Sequence, residues 1–97
     1  MEIWMVCIEL MAQTGDVNSP REVGFMNITT WADSKETAVG KIQEYIQSMG
    51  WNVVSVERAH VVNESGNYGA AELDQIERTR NNSGAIILGT FHTYKTN

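Results

Sequence analysis

Cysteine and proline are nearly absent from this sequence. Cys7 stands alone, so no disulfide can form within the chain and a hydrophobic core must stabilise the fold. A lone cysteine is also typical of a reducing compartment, so we expect a cytoplasmic protein. Pro20 is the only proline, and the 42% content of hydrophobic residues indicates a folded chain rather than a disordered one.

Long hydrophobic runs are missing too. No apolar stretch approaches the roughly 20 residues that a membrane-spanning helix needs. The first ten residues, MEIWMVCIEL, carry Glu2 and Glu9 where a signal peptide carries basic residues, which again favours a cytoplasmic location. A chain of 97 residues is long enough for one hydrophobic core and too short for two, so the expected organisation is a single domain over residues 1–97.

Basic residues are scarce, and the formal net charge is −5. Nucleic acid is therefore not an expected partner, because phosphate binding requires clustered lysine and arginine. Residues 1–34 hold five acidic residues against Arg21 alone. This imbalance has two interpretations: ordinary solubility, or an acidic surface that attracts a basic protein partner.

Motifs with a specific chemistry are absent as well. The sequence contains no glycine-rich phosphate loop, no paired-cysteine zinc spacing, no HExxH and no GxSxG. We therefore predict no catalytic residues and no cofactor. Cys7, His60 and His92 are the only thiol and imidazole side chains, and they belong to three different predicted strands. Because metal sites need three or four convergent ligands, no metal site is predicted.

Six secondary-structure elements are predicted from periodicity and turn residues, in the order β-β-α-β-α-β. The clearest is a helix over residues 34–49, in which apolar side chains recur at helical spacing. Asp33 is its predicted N-cap, with Glu36 completing a capping box, and Gly50 occupies the C′ position that favours glycine. A second helix is predicted within residues 68–82. The predicted strands are residues 1–10, 24–31, 51–62 and 85–94.

This order predicts an α+β domain, namely a two-layer, ferredoxin-like α/β sandwich. Right-handed crossovers would place both helices on one face of a four-stranded sheet. The other face would be uncovered, although strand alternation directs apolar side chains to it. Since large exposed apolar patches usually mark interfaces, we predict a homodimer through this face. The interface candidates are Met5, Cys7, Ile87 and Phe91.

The third predicted strand and the loop after it hold candidate binding residues. Val54 and Val56 are assigned to the core face, whereas Arg58 and His60 follow near the strand end, where ligands of open α/β sheets often lie. The alternative interpretation is a simple solvent-exposed connection, in which Ser65 or Asn67 caps the second helix. The ligand-binding or partner-binding candidates are Arg58, His60, Glu64, Tyr68 and His92.

About two thirds of the chain, from Trp31 onward, resembles a group of small bacterial α/β proteins. The likeness lies in WADSKETAVGKIQEYIQSMGWNVVSVERAHVV (31–62) and in GAIILGTF (84–91). In that group an Ala-Asp-Ser start leads into a helix, followed by Gly-Trp and a Val-Glu strand. The resemblance implies the same fold and brings no catalytic residues with it.

Two functional hypotheses follow from the sequence. The first is a non-catalytic protein-interaction module, with an immunity-type or antitoxin-type inhibitor of a basic enzyme as a special case, because an acidic surface speeds capture of a basic target. The second is a small ligand-binding domain or enzyme with a pocket near Arg58, His60 and Tyr68, by analogy of fold. A pocket in which His60 or His92 converges with a carboxylate would favour the second hypothesis.

Overall fold

A computed structural model describes residues 1–12, 22–63 and 66–94 of the chain. Its elements occur in the predicted order, and the α+β class is confirmed by a four-stranded antiparallel sheet that carries two helices. Neither helix in these ranges is long and apolar enough to cross a membrane. The elements are β1 (Glu2–Ala12), β2 (Val23–Ala32), α1 (Lys35–Ser48), β3 (Trp51–Val61), α2 (Ala70–Arg80) and β4 (Ile86–Tyr94).

The strands are arranged in the order β3-β1-β2-β4, and each neighbouring pair is antiparallel. Helix α1 joins β2 to β3, which run parallel to each other with β1 between them, as in a split β-α-β unit. Helix α2 joins β3 to β4, which are the two opposite edges of the sheet. The ferredoxin-like strand order is therefore not confirmed, because a second split unit would need its two strands to flank a single neighbour.

One face of the sheet packs on α1 and forms the main core; we call it the α1 face. The helix contributes Ala38, Ile42 and Ile46, and all three are fully buried. Fully burying a large aliphatic side chain contributes about 1.5–3 kcal/mol, so this layer is the main source of stability. The strand residues buried in this core are Val6, Ile8, Leu10, Met26, Ile28 and Ala32.

Helix α1 begins and ends one residue inside the predicted range of 34–49. Its N-cap is Ser34, whose Oγ accepts a hydrogen bond from the Thr37 N–H at 3.2 Å. The predicted cap, Asp33, instead lies 3.6 Å from the N-terminal amino group, because the helix begins one residue later than expected. Gly50 follows the helix with a φ of 84°, the left-handed conformation that the sequence predicts.

Helix α2 packs on the opposite face of the sheet, which we call the α2 face. Its Thr79 Oγ1 lies 2.6 Å from Thr29 Oγ1, and the Thr79 carbonyl accepts a hydrogen bond from the Trp31 indole N–H at 2.7 Å. Thr29 and Trp31 alternate along β2 with Ile28 and Ala32, which belong to the α1 core. The prediction that both helices share one face is therefore wrong, and the domain has three layers.

The handedness rule explains this error. Right-handedness is required of connections between parallel strands, so it applies to β2-α1-β3. Strands β3 and β4 are antiparallel to each other, and the rule leaves α2 free to take either face. The α1 face is already covered, whereas Ile3 and Met5 on the other face also need burial and are 7% and 2% exposed. Helix α2 therefore covers the face that the prediction left open.

Strand β3 shifts its register against β1 at two places. Each bulge inserts an extra β3 residue, and this changes the face to which the next side chains point. Val53 and Val56 pack against the α1 core, whereas Val54 is 49% exposed. The assignment of Val54 to the core face is therefore wrong, because simple alternation does not hold along a bulged strand.

Candidate functional site

The α2 face is covered at one end and open at the other. Helix α2 lies over Thr29, which is fully buried. Farther along the same strands, Cys7 and Asn27 stand opposite each other and are only half-buried. We call this open area the sheet groove and define it by the side chains of Cys7, Asn27, Arg58, His60, Tyr68 and His92.

Two adjoining depressions form the sheet groove. One has a volume of about 380 Å³ and extends toward His92 in β4. The other has a volume of about 310 Å³ and extends toward His60 and Tyr68. Three side chains line both depressions, which makes the groove continuous across the centre of the sheet. They are Cys7, Asn27 and Arg58.

The bulged register of β3 directs two predicted binding residues into this groove. Arg58 lies opposite Cys7 of β1, and His60 lies opposite Met5. Beyond the second bulge Ala59 packs against the α1 core, so the residues on either side of it point to the α2 face. The guanidinium of Arg58 is exposed and forms no ion pair within the described part of the chain.

His60 and Tyr68 meet at the end of the groove closest to the start of α2. Their ring planes are 8° from parallel with centroids 6.3 Å apart, and the Tyr68 hydroxyl lies 3.4 Å from His60 Nε2. The Asn63 backbone N–H donates to the same hydroxyl at 3.3 Å. The hydroxyl proton thus remains available for an unprotonated His60 Nε2. These contacts hold both rings in place and leave their edges accessible at the groove.

The groove does not bring the two histidines together. His92 and His60 stand on the two edge strands, three strand spacings or about 14 Å apart. The depression that reaches His92 is also lined by Glu57, which stands on the opposite edge strand, and the depression that reaches His60 is also lined by Glu72. Within the described ranges, no three His, Cys, Asp or Glu side chains lie close enough to hold a metal ion. The groove therefore offers hydrogen-bonding groups spread along one surface.

The loop before α2 is described only in part. Glu64, a predicted binding residue, and Ser65, a predicted cap, lie outside the described residues. The N-cap of α2 is Gly69, so the alternative assignment of that role to Asn67 is wrong. The Glu72 carboxylate accepts a hydrogen bond from the Gly69 N–H at 3.2 Å, which satisfies one donor at the start of the helix.

Two of the four predicted interface residues are not available on the α2 face. Met5 is 2% exposed and is buried within its own chain. Phe91 points to the α1 face, where its ring contacts Trp51 edge-on with centroids 5.0 Å apart. A register shift places two residues of β4 opposite Asn27. Beyond this bulge, the β4 side chains point to the faces opposite to those that simple alternation predicts. The other two candidates, Cys7 and Ile87, lie on the α2 face and are half-buried there.

Asn27 and Gln75 are the site residues that the sequence analysis did not identify. Asn27 lines both depressions of the groove and also a third cleft of about 530 Å³ between α2 and β4. Gln75 is buried in α2, and its Nε2 donates to the carbonyls of Asn27 and Ile87, each at 3.0 Å. The available signal for Asn27 was an amide side chain between the apolar Met26 and Ile28 of a strand, since buried polar groups need partners.

Comparison of the chain with protein-family models, with curated proteins and with solved structures finds no match. The function must therefore be inferred from the surfaces that the fold exposes.

Proposed function

We propose that this chain is a protein-interaction module whose partner supplies an additional β-strand, which pairs with the outer edge of β4. The observation that supports this proposal is the chemistry of β4. It is an edge strand of nine residues that, in the described part of the chain, pairs with β2 alone. Ile86–Tyr94 contains no lysine, arginine, aspartate, glutamate or proline. These are the residues that natural proteins place on an edge strand to prevent pairing with other chains.

The other edge of the sheet has those protective features. Strand β3 has two bulges against β1 and carries charged side chains at Glu57 and Arg58. Bulges twist an edge, and charges make the pairing of a new strand costly. Strand β4 has one bulge, opposite Asn27, and no charged side chain, so it has less protection than β3 and is supported as the binding edge.

Strand addition would use both backbone and side-chain contacts. Main-chain hydrogen bonds along β4 would supply affinity, and alternate side chains of the added strand would supply specificity. The cleft between α2 and β4 opens beside this edge and would receive some of those side chains; it is lined in part by Leu88, Gly89 and Thr90. Thr90 and Thr93 are exposed and border the position of the added strand.

We propose further that the partner is met in the cytoplasm and that, among partners other than a second copy of the chain, a basic protein is favoured. The net charge of −5 would accelerate the approach of a basic protein through long-range attraction. An immunity-type or antitoxin-type inhibitor would use such attraction to capture its target enzyme.

Lysines on the β4 edge test the proposed function. Affinity capture followed by mass spectrometry would compare the wild type with a Thr90→Lys/Thr93→Lys variant, and a second copy of the chain counts among the possible partners. We expect roughly tenfold less partner on the variant, because the new charges oppose strand pairing. In the purified wild-type complex, amide hydrogen exchange at residues 86–94 should slow relative to the uncomplexed chain.

The matched control is Asn52→Lys, an exposed position on the opposite edge strand β3. This variant should retain the partner at the wild-type level. A partner retained equally by all three proteins would contradict binding at β4.

A second candidate function is the binding of a small polar ligand in the sheet groove. The continuity of its two depressions through Cys7, Asn27 and Arg58 favours this candidate. A screen of small polar compounds by two-dimensional NMR should then shift the amide signals of these residues, and Arg58→Ala should weaken binding roughly tenfold or more by removing a charged donor. If no compound shifts these signals at millimolar concentration, the groove is not such a site.

A further inference from the structure

We infer that the strand added to β4 is the β4 strand of a second copy of this chain. The two copies would be related by a two-fold axis perpendicular to the sheet, which joins the two sheets of four strands into one continuous sheet. Both α2 helices would then lie side by side on the same face. This inference rests on the proposed function of β4 as the binding edge, and names its partner.

The β4 edge is compatible with its own copy. A two-fold axis perpendicular to the sheet makes the two β4 strands antiparallel, so their backbone donors and acceptors are related by the same operation. Like charges directly opposite each other destabilise a strand pair, and Ile86–Tyr94 contains no Lys, Arg, Asp or Glu side chain that would be repeated across the axis. Two β3 edges would instead repeat Glu57 and Arg58.

The position of α2 sets the distance between the two helices. The Gln75 Nε2 donates to a β2 carbonyl and to a β4 carbonyl at 3.0 Å each, so this part of α2 lies above the seam between the two strands. Neighbouring strands are about 4.8 Å apart, so the helix axis lies about 2.4 Å inside β4. In the joined sheet the two β4 strands are one strand spacing apart, and each α2 axis lies inside its own β4. The two α2 axes would therefore be roughly 10 Å apart. Packed helices are typically 8–10 Å apart, so the α2 helices would be in contact.

The same contacts set the level of the helices along the strands. Gly89 lies next to the Gln75 side chain, since a Cβ on it would be 2.7 Å from Gln75 Oε1 and 2.6 Å from the Asn27 carbonyl oxygen. The middle of β4 and the middle of α2 are therefore at the same level along the strand direction. A two-fold axis through the middle of β4 also passes between the middles of the two helices.

The flank of α2 that lines this cleft carries three charged side chains: Glu72, whose carboxylate accepts a hydrogen bond from the Gly69 N–H, and the pair Asp74 and Arg78. Asp74 and Arg78 line the cleft on the β4 side of the helix, one turn apart, with Arg78 Nε 3.1 Å from an Asp74 carboxylate oxygen. The two helices would be antiparallel, with residues 74 and 78 on either side of the axis. Asp74 would then face the partner's Arg78, and Arg78 would face the partner's Asp74. This charge complementarity favours a second copy of the chain as the partner.

Single charge reversals test this arrangement. In Asp74→Lys the new lysine would face the partner's Arg78, and in Arg78→Glu the new glutamate would face the partner's Asp74. In the homodimer of either variant, the two-fold axis places the new like-charge contact at two positions. We therefore expect the dissociation constant of each variant homodimer to rise roughly tenfold or more. Sedimentation velocity over a micromolar dilution series measures this change, with the wild type sedimenting as a dimer.

Mixing the two variants provides the decisive measurement. In a heterodimer the lysine of one chain would face the glutamate of the other, and Arg78 of the first would face Asp74 of the second. Native mass spectrometry of an equimolar mixture should show the heterodimer in excess over both homodimers. If Asp74 and Arg78 only stabilised their own helix, mixing the variants would not restore dimer formation, because the ion pair between residues 74 and 78 is broken in both variant chains.

Glu77→Lys is the matched control, because it makes the same change of charge at an exposed position of α2 that does not line the cleft. Its dimer should be unchanged, and far-UV circular dichroism should show that all variants are folded. A wild-type chain that stays monomeric at 100 μM, or single variants that dimerise as well as the wild type, would overturn the inference. The proposed function would survive that result if another partner is captured and is lost in Thr90→Lys/Thr93→Lys.

Discussion

At the scale of single residues, two glycines at α1 have opposite requirements. Gly40 lies inside the helix, and outside the backbone of the helix no atom comes within 4 Å of the position that its Cβ would take. Gly50 follows the helix with a φ of 84°, which disfavours any residue with a Cβ. Glycine is therefore required at Gly50 for backbone reasons, whereas nothing in the structure requires it at Gly40.

We expect Gly40→Ala to stabilise the protein. Alanine loses less backbone entropy than glycine in a helix interior, so the free energy of unfolding should rise by about 1 kcal/mol. Urea denaturation followed by circular dichroism measures the change. Gly50→Ala serves as the contrast and should lower the free energy of unfolding by about 1 kcal/mol, because it places a Cβ at a positive φ. Equal effects at the two positions would contradict this account.

At the scale of elements, the two helices are attached to the sheet by different chemistry. Helix α1 packs through fully buried aliphatic side chains, whereas α2 has Ile76 as its only buried aliphatic residue. The other buried residues of α2 are Gln75 and Thr79, and both form hydrogen bonds to β2. Their polar contacts explain why the apolar periodicity of α2 was weak in the sequence and gave no signal for the face it covers.

We expect Thr79→Val to destabilise the docking of α2. Thr79 Oγ1 donates to the Gln75 carbonyl at 2.9 Å, so the hydroxyl proton between the two threonines, 2.6 Å apart, comes from Thr29. Valine at position 79 would leave this buried donor without an acceptor, at a cost of about 1–3 kcal/mol in the free energy of unfolding.

A double-mutant cycle measures the contribution of this contact. Thr29→Val/Thr79→Val replaces both hydroxyls by methyl groups of similar shape, so its loss of stability should be smaller than the sum of the two single losses. Additive losses in urea denaturation would mean that the two hydroxyls do not depend on each other.

At the scale of the whole molecule, the three-layer arrangement moves the expected interface from a face to an edge. The sequence predicted a homodimer through an uncovered apolar face, but α2 lies on that face and Met5 is buried beneath the fold's own elements. The sheet groove, with its polar side chains, and the uncharged edge of β4 are open in the described part of the chain. Dimerisation through β4 would leave the sheet groove accessible, so the two proposed binding surfaces are compatible in one assembly.

The candidate site was predictable in part. Arg58, His60 and Tyr68 were identified because polar residues are concentrated at the end of β3 and in the loop that leads to α2. The structure places all three at one groove. The contact between His60 and Tyr68 spans only eight residues of sequence, so local structure brings the two rings together. Asn27 and His92 come to the same groove from other strands, through strand pairing that the sequence does not reveal.

The sequence by itself determined the order of the six elements, the α1 stripe with its C′ glycine and the acidic charge. These features depend on local periodicity and on the conformational preference of single residues. Tertiary structure alone decided the strand order, the face that α2 covers and the bulges that turn Val54 outward and Phe91 inward. Those features depend on long-range pairing. One inserted residue changes the face of the sheet to which every later side chain of the strand points. A connection between antiparallel strands, such as β3-α2-β4, has no preferred handedness. For the same reason, the stretch from Arg58 to Tyr68 was found from sequence, whereas the edge proposed to bind a second copy was not.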